Sequence, residues 1–106
     1  MKITVKTTSI DVTPALKEYI EKKISSLSRL LSRFETKSEA SASVEIARTT
    51  LHHKRGNVYA AEVNLDLGFT MLRVKKSHRD IRAAIDLVKD TLRRRLAQYK
   101  KKVVGR

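Results

Sequence analysis

Apolar and polar residues alternate in four segments of the chain, and each segment predicts a β-strand. The first segment runs from Lys2 to Thr8, and the second covers Ala42 to Ala47. The third runs from Tyr59 to Leu67, and the fourth follows a short turn at Gly68-Phe69 and covers Met71 to Lys75. Because each strand has a single apolar face, we expect a sheet that is covered on one side only.

Two other segments place apolar residues at steps of three and four, which predicts amphipathic helices. The first begins at Thr13-Pro14, an N-cap threonine followed by a proline suited to the first helical position, and runs to about Arg33. The second runs from Arg79 to Lys102, and Ser77 with Asp80 resembles a capping box at its start. The predicted fold is α+β, with the order β-α-β-β-β-α and both helices packed on one face of a four-stranded sheet.

The length of 106 residues suits a single domain over residues 1–106, with a flexible basic tail expected from about residue 101 to 106. The chain has no cysteine, no apolar run long enough to span a membrane and no signal peptide at its start. These features predict a cytoplasmic protein without disulfides. Lysine and arginine number 24 against 11 acidic residues, a net charge of +13. Such an excess favours a polyanionic partner, nucleic acid first and an acidic membrane surface second.

The excess cations concentrate on the two predicted helices. One interpretation is a solvated face, in which Glu18 pairs with Lys22 while Asp86 and Asp90 pair with neighbouring cations. The acids are too few to neutralise the whole set, which favours contacts with RNA phosphates and a strong dependence of binding on salt. The candidate cations follow one flank of each helix, with two on the far side of the second: Lys22, Arg29 and Arg33, then Arg82, Lys89, Arg93 and Lys100, then Arg94 and Lys101.

The predicted open face of the sheet has no aromatic residue, which excludes the base-stacking mode of RNA recognition motifs. Tyr59 falls on the apolar side, where we expect it in the core. Acids and bases on neighbouring strands are expected to form cross-strand pairs. RNA contacts are therefore expected from helices and loops that recognise phosphate geometry. The outward positions are Thr4, Lys6, Glu45, Glu62, Asn64, Asp66, Arg73 and Lys75.

Catalytic and metal-binding motifs find little support in the sequence. No nucleophile–base spacing, glycine-rich phosphate loop or zinc-protease motif occurs, so we predict a binding protein with no cofactor and no small-molecule substrate. His52 and His53 are adjacent, and only His78 could add a third imidazole, so no metal site is predicted. A basic loop over residues 51–56 that contacts phosphate and a plain hairpin loop both stay open as interpretations.

Four parts of the chain resemble the short ribosome hibernation-promoting factors, also called sigma-54 modulation or ribosome-associated inhibitor proteins. The most specific is the Ala-Ala-Ile-Asp sequence at residues 83–86, and together the matches span nearly the whole chain. The resemblance implies the same β-α-β-β-β-α order, similar to a double-stranded-RNA-binding domain with an extra first strand. The matching parts are Ile10 to Leu16, Lys22 to Leu27, Thr49 to Gly56 with Ala61 to Asn64, and Ile81 to Asp86 continuing through Leu92 to Leu96.

The resemblance also implies a function and a site. Such proteins bind the small ribosomal subunit between head and body, contact 16S rRNA in the decoding channel, and block the mRNA and tRNA sites in stationary phase or stress. The chain departs from the family pattern at Arg82, where tyrosine is usual, and at Thr91, where lysine is usual. The implied rRNA contacts are Lys22, Lys23, Arg29, Arg82, Lys89, Arg94 and Lys100, with Arg73 on the fourth strand as a further candidate.

Long family members carry a second, dimerising domain, and the resemblance places this chain among the short forms, which would need a separate ribosome-dimerising factor. Two other classes of function remain open. A regulator of a sigma-54-type transcription factor would present an exposed apolar patch, and an RNA-processing enzyme would have acids or histidines clustered around a cleft. Neither feature is evident in the pattern.

Overall fold

The computed structural model describes residues 1–31, 40–50, 57–68 and 70–104. The predicted α+β order is confirmed, with a one-turn helix added after the first long one. The elements are β1 (Lys2–Thr8), α1 (Pro14–Ser25), α2 (Ser28–Leu31), β2 (Ser41–Thr50), β3 (Asn57–Asp66), β4 (Met71–His78) and α3 (Ile81–Val104).

The four strands form one mixed sheet in the order β1-β2-β3-β4. β1 and β2 are parallel, because α1 and α2 lie in the connection between them and carry the chain back to the same end of the sheet. The other two pairs are antiparallel. One row shows how the register sorts the side chains: Val5, Val44, Val63 and Val74 stand opposite one another across all four strands.

The core lies between this valine-bearing face and the helices. Ile20 and Ile24 of α1 and Leu92 and Leu96 of α3 are each 0% exposed. Burying an aliphatic side chain of this size stabilises a fold by roughly 1.5–3 kcal/mol. The core therefore fixes which side of α3 faces the sheet, and the cations of that helix are left on its outer side.

The first helix is shorter than predicted, because α1 ends at Ser25 instead of running to about Arg33. The hydroxyl of Ser25 donates to the carbonyl of Lys22 (3.2 Å), and the hydroxyl of Ser26 donates to the carbonyl of Lys23 (2.6 Å). Such bonds compete with the helical backbone ladder. The chain turns, and α2 begins at Ser28. Arg33 lies outside the described residues.

The second long helix differs from its prediction at both ends. Ser77 belongs to β4, so the predicted capping box is wrong. Asp80 is the residue that caps α3, since its carboxylate accepts a bond from the backbone N–H of Arg82 at 2.9 Å. Helix continues to Val104, into the segment predicted as a tail. The loop at residues 51–56 and Phe69 of the predicted turn lie outside the described residues.

Candidate nucleic-acid interface

The two long helices meet along a seam where two residues of each come together. Tyr19 and Lys23 stand one turn apart on α1, and Arg82 and Asp86 stand one turn apart on α3. The Tyr19 hydroxyl donates to Oδ1 of Asp86 at 2.7 Å. The same oxygen lies 3.6 Å from Nζ of Lys23. We call these four residues the seam cluster.

Two cations of the seam cluster lie near the ring of Tyr19. Lys23 Nζ is 5.3 Å and Arg82 Cζ is 4.9 Å from the ring centroid. Both distances are within the range of cation–π attraction, which contributes about 0.5–1 kcal/mol at an exposed site. The ring and the Asp86 carboxylate therefore hold together two cations that would otherwise repel each other.

The pKa of Tyr19 is raised from 10.0 to about 12. The hydrogen bond to Asp86 is the largest cause, followed by partial burial and the negative charge of Asp86, while the charge of Arg82 acts in the opposite direction. The hydroxyl consequently stays protonated at neutral pH and keeps donating to the carboxylate.

The other predicted helix residues lie farther along the same surface. Lys22 and Arg93 are exposed, and neither forms an ion pair with any described residue. Arg29 is exposed on α2. Lys89 is half-buried, with Nζ 3.6 Å from the Asp90 carboxylate. The interpretation of a paired face is therefore confirmed for Asp90 with Lys89 and wrong for two other acids: within the described chain Lys22 has no ion pair with Glu18, and Asp86 pairs across the seam.

A second group of cations lines a cleft between β4 and α3, which we call the β4–α3 cleft. Its lining residues are Lys76, Thr91, Arg94, Arg95 and Gln98, and no carboxylate is among them. Nη2 of Arg94 donates to the Thr91 hydroxyl at 3.4 Å, and that hydroxyl donates to the carbonyl of Leu87 at 2.8 Å. Arg95 donates to the backbone carbonyl of Arg73 at 2.9 Å, which ties α3 to the strand.

Arg73 is the predicted site residue that the structure separates from the others. Its side chain lies on the open face of the sheet, opposite Asn64. Nε donates to the Asn64 side-chain oxygen at 2.6 Å and lies 4.0 Å from a Glu62 oxygen. The predicted cross-strand arrangement of acids and bases on this face is confirmed by the register, since Lys6 also stands opposite Glu45 and Lys75 opposite Glu62, and Arg73–Glu62 is the ion pair described here.

The sheet offers no surface for base stacking at the positions that the structure describes. No aromatic residue stands among the outward positions of the four strands. Tyr59 lies at the end of the helix-facing side, between Arg48 and His78, and is half-buried. The prediction that Tyr59 is part of the core is wrong, because Tyr59 is not in the core cluster. α3 begins only after His78, so the helix does not cover the row formed by Arg48, Tyr59 and His78.

Two further types of site, a metal site and a membrane-spanning helix, have no candidate among the described residues. The described residues contain no group of three His, Cys, Asp or Glu side chains able to hold a metal ion. None of the helices is long and apolar enough to cross a membrane, over the part of the chain that was described. The side chain of Lys100 lies outside the described residues.

Sequence reasoning did not select Tyr19 or Asp86 as site residues. Each is separated by one helical turn from a cation that was selected, Lys23 and Arg82 respectively, and this spacing is the only local signal. The contact that joins them spans 67 residues of the chain, so no local pattern could show it. Lys76 of the β4–α3 cleft was missed for the same reason.

The sequence matches the family model described as "Sigma 54 modulation protein / S30EA ribosomal protein" over residues 3–104. A "Ribosome hibernation promotion factor" of Picosynechococcus sp. is 33% identical over all of this chain, which covers 52% of that protein. A "Ribosome hibernation promoting factor" of Azotobacter vinelandii is 32% identical over all of this chain and 89% of that protein. The chain thus spans about half the length of the first relative and most of the second.

Solved structures show the same fold. The crystal structure of the N-terminal domain of Protein Y from Thermus thermophilus superposes with a TM-score of 0.70 at 30% identity, over 93% of this chain and 99% of that one. A ribosomal subunit interface protein from Coxiella burnetii, 24% identical, shares the fold with a TM-score of 0.65. The match over residues 3–104 and the Azotobacter relative confirm the resemblance predicted from the sequence: the chain belongs to the Sigma 54 modulation protein / S30EA ribosomal protein family, that of the ribosome hibernation promoting factors.

Proposed function

We propose that this protein is a cytoplasmic ribosome hibernation factor that binds 16S rRNA in the decoding channel of the small subunit. There it would block the mRNA and tRNA sites under stress or in stationary phase. The observation that carries the proposal is a cationic surface over α1 and α3 on which, among the described residues, only Lys23 and Lys89 form ion pairs with carboxylates, in a chain whose relatives are named for ribosome hibernation.

The chemistry of this surface suits folded RNA. Guanidinium and ammonium groups neutralise phosphates and release counterions, and contacts to phosphate position a protein without sequence readout. The aromatic-free sheet leaves the helices as the RNA-binding elements. Family membership confirms that the chain is a binding protein and not an enzyme.

The rRNA contacts assigned to individual residues are part of the proposal. We assign those on α1, α2 and the outer side of α3 to one helix surface, which is supported by the contacts that join Lys23 and Arg82 at the seam. Arg73 is assigned to the opposite face, so it would contact RNA only from another direction. The proposed contacts on this surface are Lys22, Lys23, Arg29, Arg82, Lys89 and Arg93. Arg94 is proposed as a contact from the β4–α3 cleft. Lys100 is proposed from the sequence alone, since its side chain lies outside the described residues.

Co-sedimentation with purified small subunits at graded salt tests the proposal. We expect binding that weakens steeply with salt, with a log–log slope of about 0.7–0.9 per phosphate contacted. Deacylated tRNA and a short mRNA should displace the protein if it occupies the decoding channel. Binding to small subunits without displacement would contradict the channel assignment, and no binding at low salt would contradict the function.

The alternative of a sigma-54 regulator is tested in the same series. Binding to purified sigma-54 factor that survives high salt, together with no binding to small subunits, would support that alternative. The exposed large apolar side chains among the described residues are Val12, Met71 and Leu87, which lie on three different segments. The need for a separate ribosome-dimerising factor stays a prediction.

A further inference from the structure

The seam cluster joins two helices and also brings two cations to the same aromatic ring. Lys23 and Arg82 come from segments far apart in the sequence, yet both lie within 5.3 Å of the centroid of one ring. Among the described residues, the only ion pair of either cationic side chain is that of Lys23 with Asp86, while Asp80 accepts a hydrogen bond from the backbone N–H of Arg82. The cluster thus combines two cations with one carboxylate and retains a positive charge.

The two cations remain open to an external ligand. Arg82 is exposed, and the side chain of Lys23 is 33% and that of Asp86 42% accessible. A long exposed cation normally loses rotamer freedom when it binds a phosphate, and a side chain that is already held in place loses less. The ring of Tyr19 is fixed at its hydroxyl end by Asp86, and it can therefore restrict the side chains of both cations before a phosphate binds.

We propose that Tyr19 is a positioning residue, which holds Lys23 and Arg82 together as a single phosphate-binding pair across the α1–α3 seam. This inference rests on the proposed function, since the phosphate is that of a bound RNA. Asp86 completes the arrangement by accepting the bond from the Tyr19 hydroxyl. The ring itself contacts no base, because its neighbours are cations.

A purely structural role makes a different prediction. If Tyr19 only ties α1 to α3, its loss lowers the melting temperature and leaves the number of phosphates contacted unchanged. If it positions the pair, its loss removes contacts and makes binding less dependent on salt. The salt slope therefore separates the two roles, whereas affinity at one salt concentration does not.

The test compares Tyr19→Leu, Tyr19→Phe and the wild-type chain. Binding is measured over a salt series, both to small ribosomal subunits and to an RNA duplex of about 16 base pairs. We expect Tyr19→Leu to make the slope shallower by about one to two, the loss of two phosphate contacts. Tyr19→Phe keeps the ring and should retain most of the slope. Tyr59→Leu, which removes a half-buried tyrosine elsewhere, should leave the slope unchanged.

A double-mutant cycle gives the second readout. Arg82→Ala should weaken RNA binding in the wild-type chain. In the Tyr19→Leu background the same substitution should have less than half that fold effect, because Arg82 is then no longer positioned by the ring. Equal fold losses in both backgrounds, or an unchanged slope in Tyr19→Leu, would overturn the inference. If Tyr19→Leu does not fold, a cycle between Lys23→Ala and Arg82→Ala decides, since a pair that binds as one unit gives a double variant weakened by less than the product of the two single fold losses, and independent losses would overturn the inference.

The two RNA probes distinguish failure of the function from failure of the inference. A wild-type chain that binds the duplex but not small subunits contradicts the proposed function, and the slopes on the duplex still test Tyr19. A wild-type chain that binds neither probe overturns both.

Discussion

Three of the four cations on the open face of the sheet, Lys6, Arg73 and Lys75, stand opposite or near a glutamate. On α1 and α3, by contrast, Lys23 and Lys89 are the only cations with an ion pair among the described residues. On the sheet, Lys6 faces Glu45 and Lys75 faces Glu62. On α3, Asp90 lies beside Lys89 and Asp86 bonds across the seam, and no carboxylate lines the β4–α3 cleft. Both regions are exposed and rich in charge. Their difference teaches that a candidate phosphate-binding surface is identified by cations without acid partners and not by the number of cations.

The largest expected effect comes from reversing charge on one surface at a time. Arg82→Glu, Lys89→Glu and Arg94→Glu together should abolish co-sedimentation with small subunits at physiological salt and lower the salt slope by roughly two to three. The matched variant on the open sheet face, Lys2→Glu, Lys6→Glu and Lys75→Glu, makes the same change in net charge. It should reduce binding far less. Equal losses from both triples would mean that net charge alone, and not the surface, determines binding.

Two adjacent residues of β3, one on each face of the sheet, should differ in their contribution to stability. Leu65 faces the helices and is 0% exposed, while Asn64 faces outward and bonds to Arg73. Leu65→Ala should lower the free energy of unfolding by about 2–5 kcal/mol, because it leaves a cavity in the core. Asn64→Ala should lower it by about 1 kcal/mol or less, the net contribution of a hydrogen bond. Urea denaturation followed by circular dichroism measures both, and a comparable loss for Asn64→Ala would contradict the view of the outer face as solvated.

The charge pairs of the open face should contribute little to stability. Glu45 and Glu62 stand directly opposite each other between two lysines, so attraction and repulsion nearly cancel. Glu45→Gln is therefore expected to change the free energy of unfolding by no more than about 0.5 kcal/mol. RNA binding by the variant should also stay near the wild-type value. A clear gain in affinity for RNA would show that this face lies near the bound phosphates.

The last prediction concerns the seam and is confined to high pH. Because the pKa of Tyr19 is raised to about 12 in the folded state, the folded chain holds this proton more tightly than the unfolded chain. The associated stability is present below pH 10 and is lost as pH rises towards 12. When denaturation is followed from pH 10 to pH 12, the free energy of unfolding should fall less in Tyr19→Phe than in wild type. Tyr59→Phe is the control, and an identical pH dependence of wild type and Tyr19→Phe would show that the Asp86 bond does not persist.

Much of the fold follows from the sequence because its signals are local. The alternation in Val63 and Leu65 and the Thr13-Pro14 helix start were sufficient to predict the strand and the helix. The first helix was predicted too long, since the apolar period continues through Leu27 and Leu31 while the hydroxyls of Ser25 and Ser26 end the helix. Periodicity records which residues face the core, and it does not record competition for backbone carbonyls.

The candidate site could be predicted only in part. Cations along one flank of a helix are visible in the sequence, as Arg82 and Lys89 were. The strand pattern also predicted that Arg73 faces away from the helices, but its partners Asn64 and Glu62 depend on the strand register, which the pattern alone does not give. The contact of Tyr19 with Asp86 depends on how α1 and α3 meet, which is a property of tertiary packing.

Helix α3 also has a consequence for biosynthesis. Its buried side, with Leu92 and Leu96, closes the core over the sheet, and its outer side carries most of the candidate RNA contacts. Since α3 follows all four strands along the chain, a nascent chain lacks both a closed core and the cations of this helix until α3 has been synthesised. Under the proposed function, the surface that binds RNA is completed in the same step as the hydrophobic core.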